Sequence, residues 1–179
     1  IRDSAGTGQA RVLDVYVRQQ LALERTEAAA ATVDRAITAA PGSSEHHVIR
    51  GRIFAAQERW KDAWSSHERA LELDDRNADG WLETGRLAAR DGDLDDALRR
   101  FGRARDLAPD RIEAFAEAAS LLSQAGRNEE AEEEWDALLR EAPYDARAAI
   151  ALARSRLARG DSGERTLELA RRSLRFGGG

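Results

Sequence analysis

The segment 78–111 contains two stretches in which apolar and small residues recur at intervals of three and four. The first stretch, from about Asp79 to Arg90, carries on one face Trp81, Thr84, Gly85 and Ala88. The second stretch carries on one face Ala97, Phe101, Ala104 and Leu107. This spacing is that of an amphipathic α-helix. Since Asp91-Gly92-Asp93 supplies a turn and Pro109 stops the second stretch, the segment predicts a helical hairpin.

The same pattern returns along the chain with a period of 34 residues. All prolines of the sequence lie on this lattice, and Asp75 stands at its remaining point: Pro41, Pro109 and Pro143. Glycines recur on the lattice in two series: Gly51 with Gly85, and Gly92 with Gly126 and Gly160. A fixed period of this size predicts stacked supersecondary units, each of which buries its apolar face only against its neighbours.

The segment 78–111 resembles the tetratricopeptide repeat, whose pattern is W-x2-L-G-x2-Y, then A-x3-F, A and P. The positions that carry the resemblance are Trp81, Thr84, Gly85, Ala88, Ala97, Phe101, Ala104 and Pro109. The segments 44–77 and 112–145 match with substitutions, among them His47 and His67 at the two core aromatic positions. The last segment matches if one residue is inserted near Asp161, which brings Thr166 into register.

The resemblance implies an all-α fold, a right-handed superhelical solenoid of antiparallel helix pairs with about five units and about ten helices. We expect an N-terminal extension over 1–9, a single solenoid domain over 10–176 and a glycine tail over 177–179. The expected units are about 10–43, 44–77, 78–111, 112–145 and 146–176. The first unit matches least, because Val17 stands where a small residue belongs, and a capping hairpin is one interpretation of it.

Composition and charge narrow the classes of function. With 42% apolar and 34% charged residues, the sequence is typical of a soluble, helical, packed chain, and no membrane span is expected. Residues 78–145 carry 9 basic and 18 acidic side chains, and so acidic a section disfavours nucleic acid as a partner. The absence of cysteine removes thiolate chemistry and leaves the compartment open, cytoplasmic or periplasmic. No cofactor is expected.

The resemblance further implies a concave groove lined by the first helix of each unit, in which family members bind segments of partner proteins. The residues expected to contact a protein or peptide partner are Arg18, Val48, Ile49, Arg52, Asp79, Leu82, Glu83, Arg86, Glu113, Glu117, Ile150 and Arg154.

One groove position is an arginine in four of the five units: Arg18, Arg52, Arg86 and Arg154. These arginines predict a ladder of cations suited to an acidic or carboxylate-bearing ligand. In the alternative interpretation they pair with Glu83, Glu113 or Glu117 on adjacent helices, a common role of surface charge. If the ladder binds the partner, exchange of Arg52 and Arg86 for glutamate should weaken capture and leave stability intact.

Four groove positions are apolar where a solvated surface prefers polar groups: Val48, Ile49, Leu82 and Ile150. They are interpreted either as anchor sites for ligand side chains or as packing between adjacent first helices. Both interpretations stay open at the level of sequence.

Other motifs have structural explanations that outweigh a functional one. His47 and His67 are expected to pack together rather than to hold zinc. The Gly160–Gly163 segment resembles a protease nucleophile segment but falls in a hairpin turn, and the aspartates of 91–96 are better explained by helix capping than by calcium. The tryptophans are expected in the core: Trp60, Trp64, Trp81 and Trp135.

The C-terminal stretch carries an apolar stripe with no following helix to cover it: Leu167, Leu169, Leu174 and Phe176. We therefore expect that the natural protein continues, or that this end packs against another chain. The leading hypothesis is a protein-interaction scaffold and not an enzyme, because no pair of titratable groups is placed in a buried pocket. The alternatives are an accessory region of a larger enzyme or of a bacterial envelope or secretion assembly, and a stack that self-associates through its C-terminal helix.

Overall fold

The computed structural model describes the backbone of residues 4–176 and the side chains of residues 8–169 and 171. This part of the chain contains ten α-helices and no β-strand, which confirms the all-α class predicted from the sequence. The helices are α1 (Ser4–Ala22), α2 (Thr26–Ala39), α3 (Ser44–Ala56), α4 (Trp60–Leu73), α5 (Ala78–Arg90), α6 (Leu94–Leu107), α7 (Glu113–Gln124), α8 (Asn128–Glu141), α9 (Ala146–Ala158) and α10 (Glu164–Phe176).

The chain divides into two compact units, Ile1–Asp93 with α1–α5 and Leu94–Gly179 with α6–α10. In the first unit an aliphatic core joins α1, α2 and α3, and its buried members are Val17, Ala29, Val33, Ile49 and Ile53. In the second unit the larger residues of the core are Phe115, Leu122, Trp135, Leu138, Leu152 and Leu169. The faces that the helical spacing predicts as apolar are therefore the faces that are buried.

The first helix of every pair ends in the same way. Its last turn closes by two backbone hydrogen bonds, as from the Glu58 N–H to the Ala55 carbonyl (3.0 Å) and from the Arg59 N–H to the Phe54 carbonyl (2.9 Å). This arrangement requires a left-handed residue after the helix. Positive φ is found at the five equivalent positions, which are Glu24, Glu58, Gly92, Gly126 and Gly160.

The helix starts that follow the second helix of a pair use a side-chain cap on the same lattice. Ser43, Asn77 and Asp145 each accept a hydrogen bond from the backbone N–H three residues ahead, at 3.3, 3.0 and 3.0 Å. Arg111 occupies the fourth equivalent position and carries no oxygen that can accept such a bond. Accordingly α7 begins at Glu113, one residue later than the lattice requires.

The last pair follows the register that one inserted residue predicts. Thr166 is 1% exposed, whereas the side chain of Arg165, which stands at the uninterrupted lattice position, is 77% exposed. The extra length lies in the turn before α10, where the Asp161 carboxylate accepts a hydrogen bond from the Gly163 N–H at 3.0 Å.

Candidate functional site

The predicted groove residues fall on the first helices of the pairs. Those on α1, α3 and α5 belong to the first unit, and we call the surface that they form the N-terminal face. Those on α7 and α9 belong to the second unit and form the C-terminal face. Each face is a separate candidate site.

Three of the four predicted apolar anchors are covered by protein. Val48, Ile49 and Leu82 are 2%, 3% and 2% exposed, and Ile49 belongs to the core that joins α1, α2 and α3. These side chains therefore pack within the chain, and a ligand reaches them only if the helices move. Ile150 on α9 is half-buried and is the one of the four that retains an accessible surface.

Arg52 lies at the centre of the N-terminal face and is surrounded by carboxylates from three helices. Its Nε donates to Glu83 Oε1 at 2.6 Å on α5, and its two terminal nitrogens donate to Asp14 Oδ1 at 2.8 Å on α1 and to Asp79 Oδ1 at 3.3 Å on α5. Only 18% of the Arg52 side chain is exposed. The guanidinium thus links α1, α3 and α5, with three of its five N–H donors engaged by carboxylates of this chain.

The protonation equilibria of this cluster favour its charged form. Burial alone lowers the pKa of the Arg52 guanidinium, but the charges of Glu83, Asp79 and Asp14 raise it overall. Burial alone raises the pKa of the Glu83 carboxyl, but Arg52 and Arg86 outweigh burial and hold that pKa below its usual value. Both groups are therefore charged at neutral pH, and the cluster is a set of true ion pairs.

The predicted cation ladder is neutralised along the N-terminal face. Arg18 pairs with the same Asp14 that binds Arg52, at 2.8 Å, and Arg86 pairs with the same Glu83, at 3.1 Å. Three arginines then alternate with the carboxylates of α1 and α5. Arg52 therefore follows the alternative interpretation of the sequence, in which it pairs with Glu83 on an adjacent helix. Exchange of Arg52 for glutamate is accordingly expected to lower the stability of the chain.

The C-terminal face is more open and its charges are less well matched. Glu113 is exposed and Glu117 is half-buried on α7. A hydrogen bond from Arg147 to Asp145 (2.9 Å), followed by the charges of Glu113 and Glu117, raises the pKa of the Arg147 guanidinium. Arg147 of α9 is thus shared between Asp145, which it binds, and the two acidic side chains of α7.

Arg154 is different from the other three ladder arginines. It is exposed on α9, one helical turn beyond the half-buried Ile150, and forms no ion pair or hydrogen bond within the described part of the chain. An exposed cation beside a partly exposed aliphatic side chain combines charge and apolar surface in one place.

His67 is buried within the first unit and takes no part in a ligand site. It is 1% exposed, and its Nδ1 has no hydrogen-bond partner among the described residues. Burial is the largest cause that lowers the pKa of this imidazole to about 4; the charge of Glu83 opposes the shift, and the charges of Arg52 and Arg86 add to it. The ring lies against α3 at Gly51, where a Cβ would come within 2.3 Å of its Cε1.

The pKa of His47 is lowered by burial, the largest cause, while a hydrogen bond with the Pro41 backbone opposes the shift. Within the described residues no group of three His, Cys, Asp or Glu side chains is placed to hold a metal ion. Of the tryptophans, Trp135 is buried, whereas Trp60, Trp64 and Trp81 are half-buried. Trp60 stacks against the Arg90 guanidinium, 3.9 Å from the ring centroid.

The apolar stripe of α10 is only partly within the described side chains. Leu169 is 7% exposed and belongs to the core of the second unit, while Leu167 is 44% exposed. The side chains of Leu174 and Phe176 lie outside the described residues. The structure thus covers one member of the stripe with the chain's own helices.

The sequence does not predict that Asp14 and Asp79 are the second and third partners of Arg52. The spacing of Asp14 and Arg18 by four residues on one helix was a signal for a local ion pair. It did not reveal that the second oxygen of Asp14 binds Arg52 on another helix, because that contact depends on how α1 packs on α3.

Comparison with known proteins identifies the family. One sequence model of the tetratricopeptide repeat matches residues 88–155, and a second matches residues 17–66 and 50–112. The two matches of the second model span residues 17–112, which is more than half of the 179 residues. The chain belongs to the tetratricopeptide repeat family, as the resemblance in the sequence predicted.

Solved structures of several repeat proteins share the fold. PilF of Pseudomonas aeruginosa superposes with a TM-score of 0.83 at 19% identity, covering 98% of this chain and 80% of that one. MamA gives 0.73 at 16% identity, covering 89% and 92%, respectively. YrrB, described as a tetratricopeptide protein with an unusual peptide-binding site, gives 0.64 at 20% identity, covering 92% and 84%. No curated protein matches the sequence significantly.

The family defines the general role of the chain. Repeats of this kind form protein-interaction scaffolds and are typically not enzymes. Among the described residues, no helix has the length and apolar content that a membrane span requires.

Proposed function

We propose that this protein is a non-catalytic scaffold that binds a segment of a partner protein along the first-helix faces. The proposal rests on Arg154 of the C-terminal face, which is exposed and has no ion-pair partner among the described residues. A partner carboxylate supplies the missing counter-charge, and an apolar partner side chain covers Ile150. The partner segment is accordingly expected to carry acidic and apolar residues.

The N-terminal face supports a weaker contribution to binding. Arg18 has 65% of its side chain exposed and Arg86 has 38% exposed, so each can still meet a partner carboxylate. Arg52 between them is engaged with three carboxylates. Exposed cations that already have a counter-ion add to the association rate and to selectivity more than to affinity.

The fold of a relative gives independent support for peptide binding. The YrrB structure is described as containing an unusual peptide-binding site, and this chain has the same fold. At 20% identity the likeness extends to the fold alone, so the binding residues proposed here rest on the side chains of this chain.

The experiment compares charge reversal at two exposed arginines of the second unit. Arg154→Glu is expected to reduce partner capture about tenfold, because it replaces an attraction by a repulsion at the contact. Arg140→Glu is the matched control, since Arg140 is an exposed arginine of the second helix α8 that also has no ion pair among the described residues.

Capture is measured by pull-down from the source organism with quantification of the retained proteins, and thermal melting verifies that both variants fold. Equal capture by the two variants, both folded, would show that the C-terminal face does not bind the partner.

A further inference from the structure

A cleft lies in the Leu94–Gly179 unit between α6 and α8, with α7 beneath it. Its volume is about 140 Å³. The deep part is apolar and is formed by Phe101 of α6 with Ala118 and Leu122 of α7, which are 2%, 5% and 3% exposed. These α7 residues differ from Glu113 and Glu117 of the C-terminal face, so the cleft is separate from the site proposed above.

Gly102 lines the cleft and contributes no side chain to fill it. In three of the four other repeats the position equivalent to Gly102 is an acidic residue: Asp34, Glu68 and Asp136. A Cβ built on Gly102 would meet no atom within 4 Å, and the backbone there has no left-handed φ that calls for glycine. Glycine inside a helix costs about 1 kcal/mol relative to alanine. Neither crowding nor backbone conformation explains the glycine at position 102, and its missing side chain leaves space in the cleft.

The rim of the cleft is acidic. One guanidinium, Arg105, and three carboxylates line it, which gives a net charge of −2. Arg105 neutralises Glu134 at 2.7 Å, and Arg127 outside the cleft binds Glu130 at 2.6 Å. Glu133 has no partner among the described residues and is exposed. The uncompensated charge at the rim is therefore that of Glu133.

We propose that this cleft binds a lysine side chain of a partner protein. An apolar cavity of about 150 Å³ accommodates benzene, so the cleft, at about 140 Å³, has room for a chain of about five heavy atoms. That number matches the four methylenes and the ammonium of lysine. The methylenes lie against the half-buried Leu98 and over Gly102, and the ammonium lies beside Glu133. Long cationic side chains commonly bury their stem and keep their charge at the surface in this way.

The test uses n-butylammonium as the probe of lysine chemistry, with 1-butanol and butyrate as the neutral and anionic probes of similar size. The full chain labelled with ¹⁵N is titrated, and backbone amide shifts are followed by NMR. Saturable shift changes around Gly102 and Leu98 are expected with n-butylammonium, and clearly weaker changes are expected with the other two probes.

Two pairs of variants locate the binding. Gly102→Leu fills the cleft and is expected to abolish the saturable shifts, whereas Gly102→Ala keeps most of the space and retains them. Glu133→Gln is expected to weaken binding roughly two- to fivefold, the effect of one exposed ion pair. Glu129→Gln on the same helix is its control, because Glu129 does not line the cleft.

Three results would overturn the proposal: no saturable shift in the folded wild-type chain, equal response to butyrate or 1-butanol, or undiminished binding in Gly102→Leu. If Gly102→Leu does not fold, the comparison of Glu133→Gln with Glu129→Gln decides, and equal affinity of those two variants overturns the proposal. None of these readouts depends on the capture experiment at Arg154.

Discussion

His67 shows how a single buried side chain sets local stability in this repeat. Its ring packs on α3 at Gly51, and its Nδ1 is buried without a partner among the described residues. In the repeat 78–111 the equivalent pair is Phe101 and Gly85, and Phe101 is 2% exposed. The fold therefore accommodates phenylalanine opposite glycine, and histidine at this position leaves a polar atom unsatisfied.

We predict that His67→Phe raises the free energy of unfolding at pH 7 by about 1–3 kcal/mol, the cost of an unsatisfied buried polar group. The variant should also change the pH dependence. The pKa of His67 is about 4 in the folded chain against 6.5 for an unperturbed imidazole, so the unfolded chain binds more protons between these values. The stability of the wild type then falls as pH falls from 6.5 to 4, by up to about 3 kcal/mol from this group.

Urea unfolding of wild type and His67→Phe at pH 7 and pH 5 checks both effects. Gly51→Ala is the matched control for packing, since its new Cβ would collide with the histidine ring and should destabilise the chain at both pH values. A loss of stability between pH 7 and pH 5 that is the same in wild type and His67→Phe would contradict the assignment to His67.

Glu58 has a left-handed backbone conformation that is unfavourable for a residue with a Cβ. It has a φ of 58° at the lattice position where Gly92, Gly126 and Gly160 stand, and its side chain makes no hydrogen bond or ion pair among the described residues. A left-handed conformation costs a residue with a Cβ about 1–2 kcal/mol. Exchange for glycine removes this cost but increases the conformational entropy of the unfolded chain, which offsets part of the gain.

We predict that Glu58→Gly stabilises the chain by about 0.5–1 kcal/mol and raises the melting temperature by roughly 2 °C. The reverse exchange, Gly92→Glu, introduces the same strain at the equivalent turn, where no atom lies within 4 Å of an added Cβ. Differential scanning calorimetry of both variants measures the effect. A lower melting temperature for Glu58→Gly would show that the left-handed turn is not strained.

The sequence predicts part of this residue-scale picture. The period of 34 places residues 24 and 58 at the glycine positions, so the turn itself can be read from the lattice. The left-handed backbone at Glu58 cannot be predicted from the residue type, because it is imposed by the packing of the two helices that the turn connects. In the same way His67 is predictable as a core residue, whereas its missing hydrogen-bond partner depends on the side chains around it.

At the scale of the helices, local signals are sufficient for their bounds. The expected helix from Asp79 to Arg90 is observed as Ala78–Arg90, and α6 ends at Leu107, two residues before Pro109. These bounds follow from spacing, capping and proline, which act within one turn. The ion pairs of the groove faces do not follow from such local signals, because Arg52 of α3 binds carboxylates of α1 and α5.

We predict that Arg52→Gln lowers the free energy of unfolding by about 2–4 kcal/mol, because it leaves Asp14, Asp79 and Glu83 facing one another without their shared cation. The side chain is 18% exposed, so solvent screens part of the repulsion and the loss should shrink in high salt. Chemical unfolding at low and high salt measures both.

Arg18→Gln is the matched control on the same face. The Arg18 side chain is 65% exposed and has the same kind of partner in Asp14, so its removal should cost less than about 1 kcal/mol. If Arg52→Gln were no more destabilising than Arg18→Gln, the ion-pair cluster would not join α1, α3 and α5 energetically.

At the scale of the whole molecule, the repeat lattice predicts a scaffold, and the family match confirms the class of protein. The sequence does not predict which groove cations are available to a partner. Equivalent positions carry the same residue type, yet Arg52 is bound by three carboxylates and Arg154 by none among the described residues. That difference arises from the unlike side chains that surround equivalent positions in different repeats.

The most direct test of the account is site-specific photo-crosslinking to the natural partner. A photo-reactive amino acid replaces Arg18 or Arg154 on the first-helix faces, and Arg69 or Arg140 on the second helices serves as the matched control in each unit. We predict a crosslinked partner from positions 18 and 154, with the stronger yield at 154, and little or none from 69 and 140. Crosslinking that is equal at all four positions, or confined to 69 and 140, would contradict it.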